Sequence, residues 1–182
     1  MTLLILGVLL WSGAHLFKRL APDARTRMGD KGRGRIALAL GVSLVLMIVG
    51  YRMSETTDLY ALPAWTVHLN NTLMFAAVAL LGLGNSKSRL RAKFRHPMLT
   101  GMVVWGVAHL TVNSDAASFV LFGGMIVWAL LEMALINRAE PAPAPYAKGS
   151  VKGDLRLVGI TAAVFGVIAG IHWLLGVYPF PA

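Results

Sequence analysis

Five histidines and no cysteine make up the most reactive part of this 182-residue chain. Without thiols there can be no disulfide, thiolate metal site or cysteine nucleophile, so imidazole, carboxylate, hydroxyl and backbone groups must carry any chemistry. His15, His68, His109 and His172 lie inside long apolar runs, while His96 sits in the Arg95-His96-Pro97 sequence at the mouth of another. An ionisable side chain within an apolar span is costly and points to a buried partner, a water cavity or a ligand. Each histidine alone is equally well an interhelical hydrogen bonder. Taken together, histidines on four different helices point to a cofactor. Neutral imidazoles are standard axial ligands for haem, whereas a bare zinc or copper ion wants three or four ligands close together, which the depth of His15 opposes.

The neighbours of these histidines repeat. WSGAHL (11 to 16) and WGVAHL (105 to 110) both place Trp four residues before His, so an aromatic ring and an imidazole share one helix face. From His109 that face runs back through Gly106, Trp105, Met102, Gly101 and Met98, a surface of small and soft side chains on which a flat ligand can lie. The same residues are also what a helix-packing surface looks like. His68 is followed at one-turn spacing by Asn71 and Thr72, a polar stripe expected to face protein, and His172 has Ala169 and Phe165 below it.

The elements that must hold these residues follow from composition. At 57% hydrophobic and 14% charged residues, the chain cannot cover its apolar surface with a water-facing shell. It reads as an all-α, polytopic membrane bundle of about six transmembrane helices, forming a single domain over 1 to 182. The apolar runs are 2 to 17, 36 to 52, 64 to 84, 97 to 113, 117 to 136 and 156 to 177, the first and fourth being short. The Pro/Ala-rich stretch 139 to 154 reads as a linker. The first run has no basic residue before it and no small-residue cleavage site, so it is read as a helix and not as a cleaved signal.

The net charge of +9 would suggest nucleic acid in a soluble protein, but its placement gives another meaning. Seven Lys/Arg fall in 18 to 35, five in 85 to 96 and four in 138 to 156, against none in 53 to 63 or 114 to 116. Under the positive-inside rule the three basic loops face the cytoplasm and both termini face outward. The partner of the charge is then the lipid bilayer, not nucleic acid. His109 lies about 20 Å beyond His96 along the axis, in the outer half, with His68 and His172, while His15 lies near the inner end of its helix. Among the carboxylates, Glu132 reads as snorkelling or ion-paired and Asp115 as a helix cap.

The segment RHPMLTGMVVWGVAHLTVNSDAASFVLFGGMIVWALLEM, with the histidine that closes the first helix and the C-terminal IHWLLGVYPFP, resembles the NnrU membrane protein family over essentially the whole chain. The resemblance implies a bacterial inner-membrane protein associated with denitrification. Such a protein affects nitrite and nitric oxide reduction as a redox, sensing or maturation component, alongside the reductases or their maturation factors. The same fold family includes the 15-cis-ζ-carotene isomerases, which bind haem b. Carried onto this chain, that implies His15 and His109 as axial ligands of the haem iron, and the face read above then puts Trp105 and Gly106 beside the cofactor. His68, His172, His96 and Arg95 form a second tier. Where the isomerases hold a further functional histidine, this chain has Tyr51 and Arg52, which speaks against isomerase activity. The Arg-His-Pro element also resembles membrane methyltransferases that use S-adenosylmethionine. Leu99 stands where their tyrosine does, though Gly101 fits, and their paired carboxylates near the C-terminus are missing. A purely structural partner or a small-ligand transporter completes the alternatives.

Overall fold

A computed structural model describes residues 1–55, 57–141, 146 and 148–180. The helices are α1 (Thr2–Leu20), α2 (Pro22–Arg27), α3 (Lys31–Arg52), α4 (Thr66–Leu83), α5 (Pro97–Leu110), α6 (Ala116–Ala139) and α7 (Val151–Leu174). A 3-10 turn spans Arg89–Lys93, and Phe119–Gly123 within α6 is π-helical. Among the described residues there is no strand, only an isolated antiparallel bridge between Asp58 and Asp115.

Five of these helices, α1, α3, α4, α6 and α7, are long and apolar enough to cross a membrane. The expected sixth, 97 to 113, ends early. Thr111 closes α5 by donating to the carbonyls of Val107 and Ala108, and Asn113 Nδ2 donates to the His109 carbonyl at 2.8 Å. Its 14 residues reach only about 21 Å at 1.5 Å per residue, against a hydrocarbon core of about 30 Å. Large apolar side chains point outward throughout, among them Leu9, Ile48, Leu155 and Val167, each more than half exposed. Such a surface suits lipid.

The chain forms two compact units, each assembled from two stretches of sequence. The first comprises Met1–Tyr60 and Ser114–Pro141 and holds α1, α2, α3 and α6. Here α1 lies against α3 at backbone distance. A side chain on Gly50 would strike the Leu4 backbone, and one on Gly7 would sit 2.8 Å from the Met47 nitrogen. Small residues at a helix crossing permit this approach, which is what drives association where no hydrophobic effect operates between helices. Against the other side of α1, Gly124 of α6 leaves room for Val8.

The second unit comprises Ala61–Asn113 and Ala142–Ala182 and holds α4, α5 and α7. Gly101 of α5 packs on α4, where a side chain would meet the Ala77 carbonyl and Leu81 at 3.1 Å. The start of α7 is clamped to the loop after α4. Asp154 Oδ1 accepts from Ser88 Oγ at 2.7 Å and from the Arg89 backbone at 2.8 Å, while its other oxygen takes the Arg89 guanidinium. Ser150 Oγ caps α7 by accepting from Gly153 N at 3.0 Å. Because of this cap the stretch read as a linker is shorter than expected. Residues 151 to 154 are helical, and 142–145 and 147 lie outside the described residues.

Candidate histidine sites

Three imidazoles share one local device. His15 Nδ1 lies 3.0 Å from the Trp11 carbonyl, His109 Nδ1 3.0 Å from the Trp105 carbonyl, and His172 Nδ1 2.8 Å from the Ile168 carbonyl, each four residues back. A carbonyl oxygen can only accept, so Nδ1 carries the proton and, in the neutral ring, Nε2 carries the lone pair. The helix itself thus sets the tautomer and the ring orientation that a metal-ligating histidine needs, a role usually given to an outer carboxylate or carbonyl.

His68 and His96 are placed differently. His68 is exposed on α4, as is Thr72, so this edge of the expected polar stripe does not face protein. Its neighbours do: Asn71 Nδ2 donates to the Pro179 carbonyl at 2.8 Å, tying the C-terminal segment back onto α4. His96 is the residue before Pro97 at the start of α5, directly after Arg95, and its carbonyl accepts from Thr100 N and Oγ1, both at 2.9 Å.

The surroundings of the three matched histidines separate by unit. In the first unit His15 is flanked by two indoles. Its ring centroid lies 4.4 Å from Trp11 and 4.7 Å from Trp128 of α6, and the two indoles meet edge to face at 5.5 Å. One turn on, the Arg19 guanidinium lies 3.9 Å from Glu132 Oε1 and donates to Glu140 Oε1 at 2.7 Å. Two stripes of one-turn spacing therefore face each other, Trp11, His15 and Arg19 on α1 and Trp128 and Glu132 on α6. Among the described residues the indole N–H groups of Trp11 and Trp128 and Glu132 Oε2 are buried without a hydrogen-bond partner.

In the second unit His109 has the Trp105 ring at 4.9 Å and shares the unit with His172 on α7. Gly106 is buried, whereas Met98 is 55% exposed and Gly101 is a packing position on α4, so the soft stripe of α5 is divided between lipid and protein. Among the described residues no three His, Asp or Glu side chains gather as they would around a bare metal ion. The site residues thus fall into two groups, His15 in the first unit and His109, Trp105, Gly106 and His172 in the second.

One arrangement had no signal in the sequence. Tyr51 O–H donates to Ser118 Oγ at 2.9 Å, because that hydroxyl donates in turn to Asp115 Oδ2 at 2.6 Å. Asp115 also accepts from Ser118 N at 2.9 Å, which makes it the cap of α6 it was expected to be. The partner of Glu132 was also hidden. Arg138 is its near neighbour in sequence, but Arg19, far away in the chain, is the guanidinium that reaches it.

The protein family described as NnrU protein matches residues 3–179. No curated protein and no solved structure matches the chain.

Proposed function

The chain belongs to the NnrU family, and from that premise we propose that it is a haem b-binding protein of the bacterial inner membrane, serving denitrification as a redox, sensing or maturation component for nitrite and nitric oxide reduction. The observation that carries the haem reading is the shared state of His15, His109 and His172, each with Nδ1–H held by its own helix and a lone pair on Nε2. A bis-histidine haem requires two such imidazoles, and the donor set fits it better than it fits a bare ion. When bound, haem supplies a one-electron iron couple. His109 and His15 would hold the haem, as the resemblance implies, and the face of α5 that carries His109 also carries Trp105 and Gly106. The helix carbonyls hold the Nδ1–H of each imidazole and so fix its ring orientation.

A second reading pairs His109 with His172. Their placement in the same unit, each with the same Nδ1–carbonyl bond, favours it. The visible spectrum of detergent-purified protein decides between the two. His109→Ala should abolish or convert a low-spin haem spectrum and His96→Ala should leave it intact. Loss in His15→Ala supports the first reading, and loss in His172→Ala with retention in His15→Ala supports the second. A monodisperse protein that takes up no haem when haem is supplied during expression overturns both. Product analysis with a poly-cis carotenoid tests the isomerase alternative. Reporter fusions after Asn85 and at the C-terminus test the proposed orientation, with cytoplasmic signal expected at the first and none at the second.

A further inference from the structure

The seam between α1 and α6 holds polar atoms of both signs that find no partner among the described residues. Trp11 Nε1–H and Trp128 Nε1–H are donors, Glu132 Oε2 is an acceptor, and all three are buried. Trp128 is 5% exposed. Within a lipid-facing protein an unsatisfied polar group costs several kcal/mol, and bulk water is not there to relieve it. Buried polar atoms in native proteins nearly always have a partner, so three orphans on two facing stripes call for one that is not a side chain.

The signs of these groups select its chemistry. A cation would satisfy Glu132 but confront two N–H donors and the Arg19 guanidinium. An anion would satisfy the indoles but confront Glu132. The rings of Trp11, His15 and Trp128 already pack on one another at 4.4 to 5.5 Å, which leaves small occupants only. Water both accepts from N–H and donates to a carboxylate, and buried waters with two to four polar partners are ordinary parts of folded proteins. We propose that α1 and α6 enclose bound water between Glu132 and the indole N–H groups of Trp11 and Trp128. This water ties the indole end of the seam to the Arg19–Glu140 end of the two helices. The water uses neither nitrogen of His15 and so stands whether or not that imidazole holds haem.

The test uses the full chain in which Trp65, Trp105 and Trp173 are replaced by Phe, leaving the two seam indoles, with helicity checked by circular dichroism. Ultraviolet resonance Raman reads indole N–H hydrogen bonding directly, and the bonded signature is expected for both rings. Infrared difference spectra should contain an O–H stretch that shifts in heavy-oxygen water, and Glu132→Leu should remove it. If Glu132→Leu does not fold, Glu132→Gln keeps a polar group and should move the band without removing it. Unbonded indoles overturn the proposal. So does a bonded signature with no heavy-oxygen shift, which would assign the partner to protein or lipid, and so does a shifting band that neither Glu132 variant changes.

Discussion

His15 and His109 begin from the same local sequence and end in different company. Both follow a tryptophan by four residues and both place Nδ1 on that tryptophan's carbonyl at 3.0 Å. Around His15, α6 adds Trp128, and the seam carries buried donors and an acceptor without partners among the described residues. His109 shares its unit with His172 on α7, and there Ser88 and Arg89 pair with Asp154 and Asn71 with Pro179, while Asn70 Oδ1 is a single buried acceptor without a partner among the described residues. An i, i+4 motif therefore fixes the state of an imidazole but not its use. The neighbouring helix sets the use, because only a second element can bring a partner to Nε2 or set buried polar groups beside the imidazole.

The comparison can be broken most severely at the α1–α3 crossing. Gly50→Val puts atoms into the Leu4 backbone, which cannot yield as a side chain can, so a loss of about 3 kcal/mol is expected. Detergent unfolding followed by the fluorescence of Trp11 and Trp128 should show it, while hydrogen exchange in α4 and α5 stays near wild type. Equal loss in both units would mean that they do not respond separately.

A smaller effect is expected in the other unit. Ser88→Ala removes a hydroxyl that is 1% exposed, donates to Asp154 and accepts from Leu90 N at 3.1 Å. At about 1 kcal/mol for each bond, the loss is about 2 kcal/mol, read as faster exchange at the start of α7. An unchanged exchange rate there would show that Asp154 is held by Arg89 alone.

Tyr51→Phe sharpens the picture of the first unit. It removes one donor to Ser118 and leaves the Ser118–Asp115 bond in place, so about 1 kcal/mol is expected, with α6 still capped. At the small end, Thr72→Val on the exposed side of α4 should change stability by less than about 0.5 kcal/mol. A larger loss would mean that this edge is covered in the membrane.

Particular residues show how far the sequence could be read. Capping by Asp115 was legible because it acts over three residues, and the early end of α5 was not, because it depends on where Asn113 folds back. Gly101 was read as part of a ligand-facing stripe and proved to be a contact with α4, since small residues serve a flat ligand and a close helix equally well. Glu132 was read as snorkelling or ion-paired, with Arg138 as its near neighbour, and its ion pair is with Arg19, a contact across more than a hundred residues.

What the sequence alone determined is what depends on short range and on composition: the helical class, five of the six expected spans, the alternation of basic loops, and the i, i+4 placing of Trp and His on one face. These follow from periodicity and from the need to satisfy every backbone group within its own helix in lipid. Only the tertiary structure decided that α1 turns Trp11, His15 and Arg19 toward Trp128 and Glu132, and that His109 shares a unit with His172. A helix that is apolar all round carries no marked face, so which stripe it buries is settled by close packing at glycines such as Gly7, Gly50 and Gly101, and that packing requires the partner helix to be present.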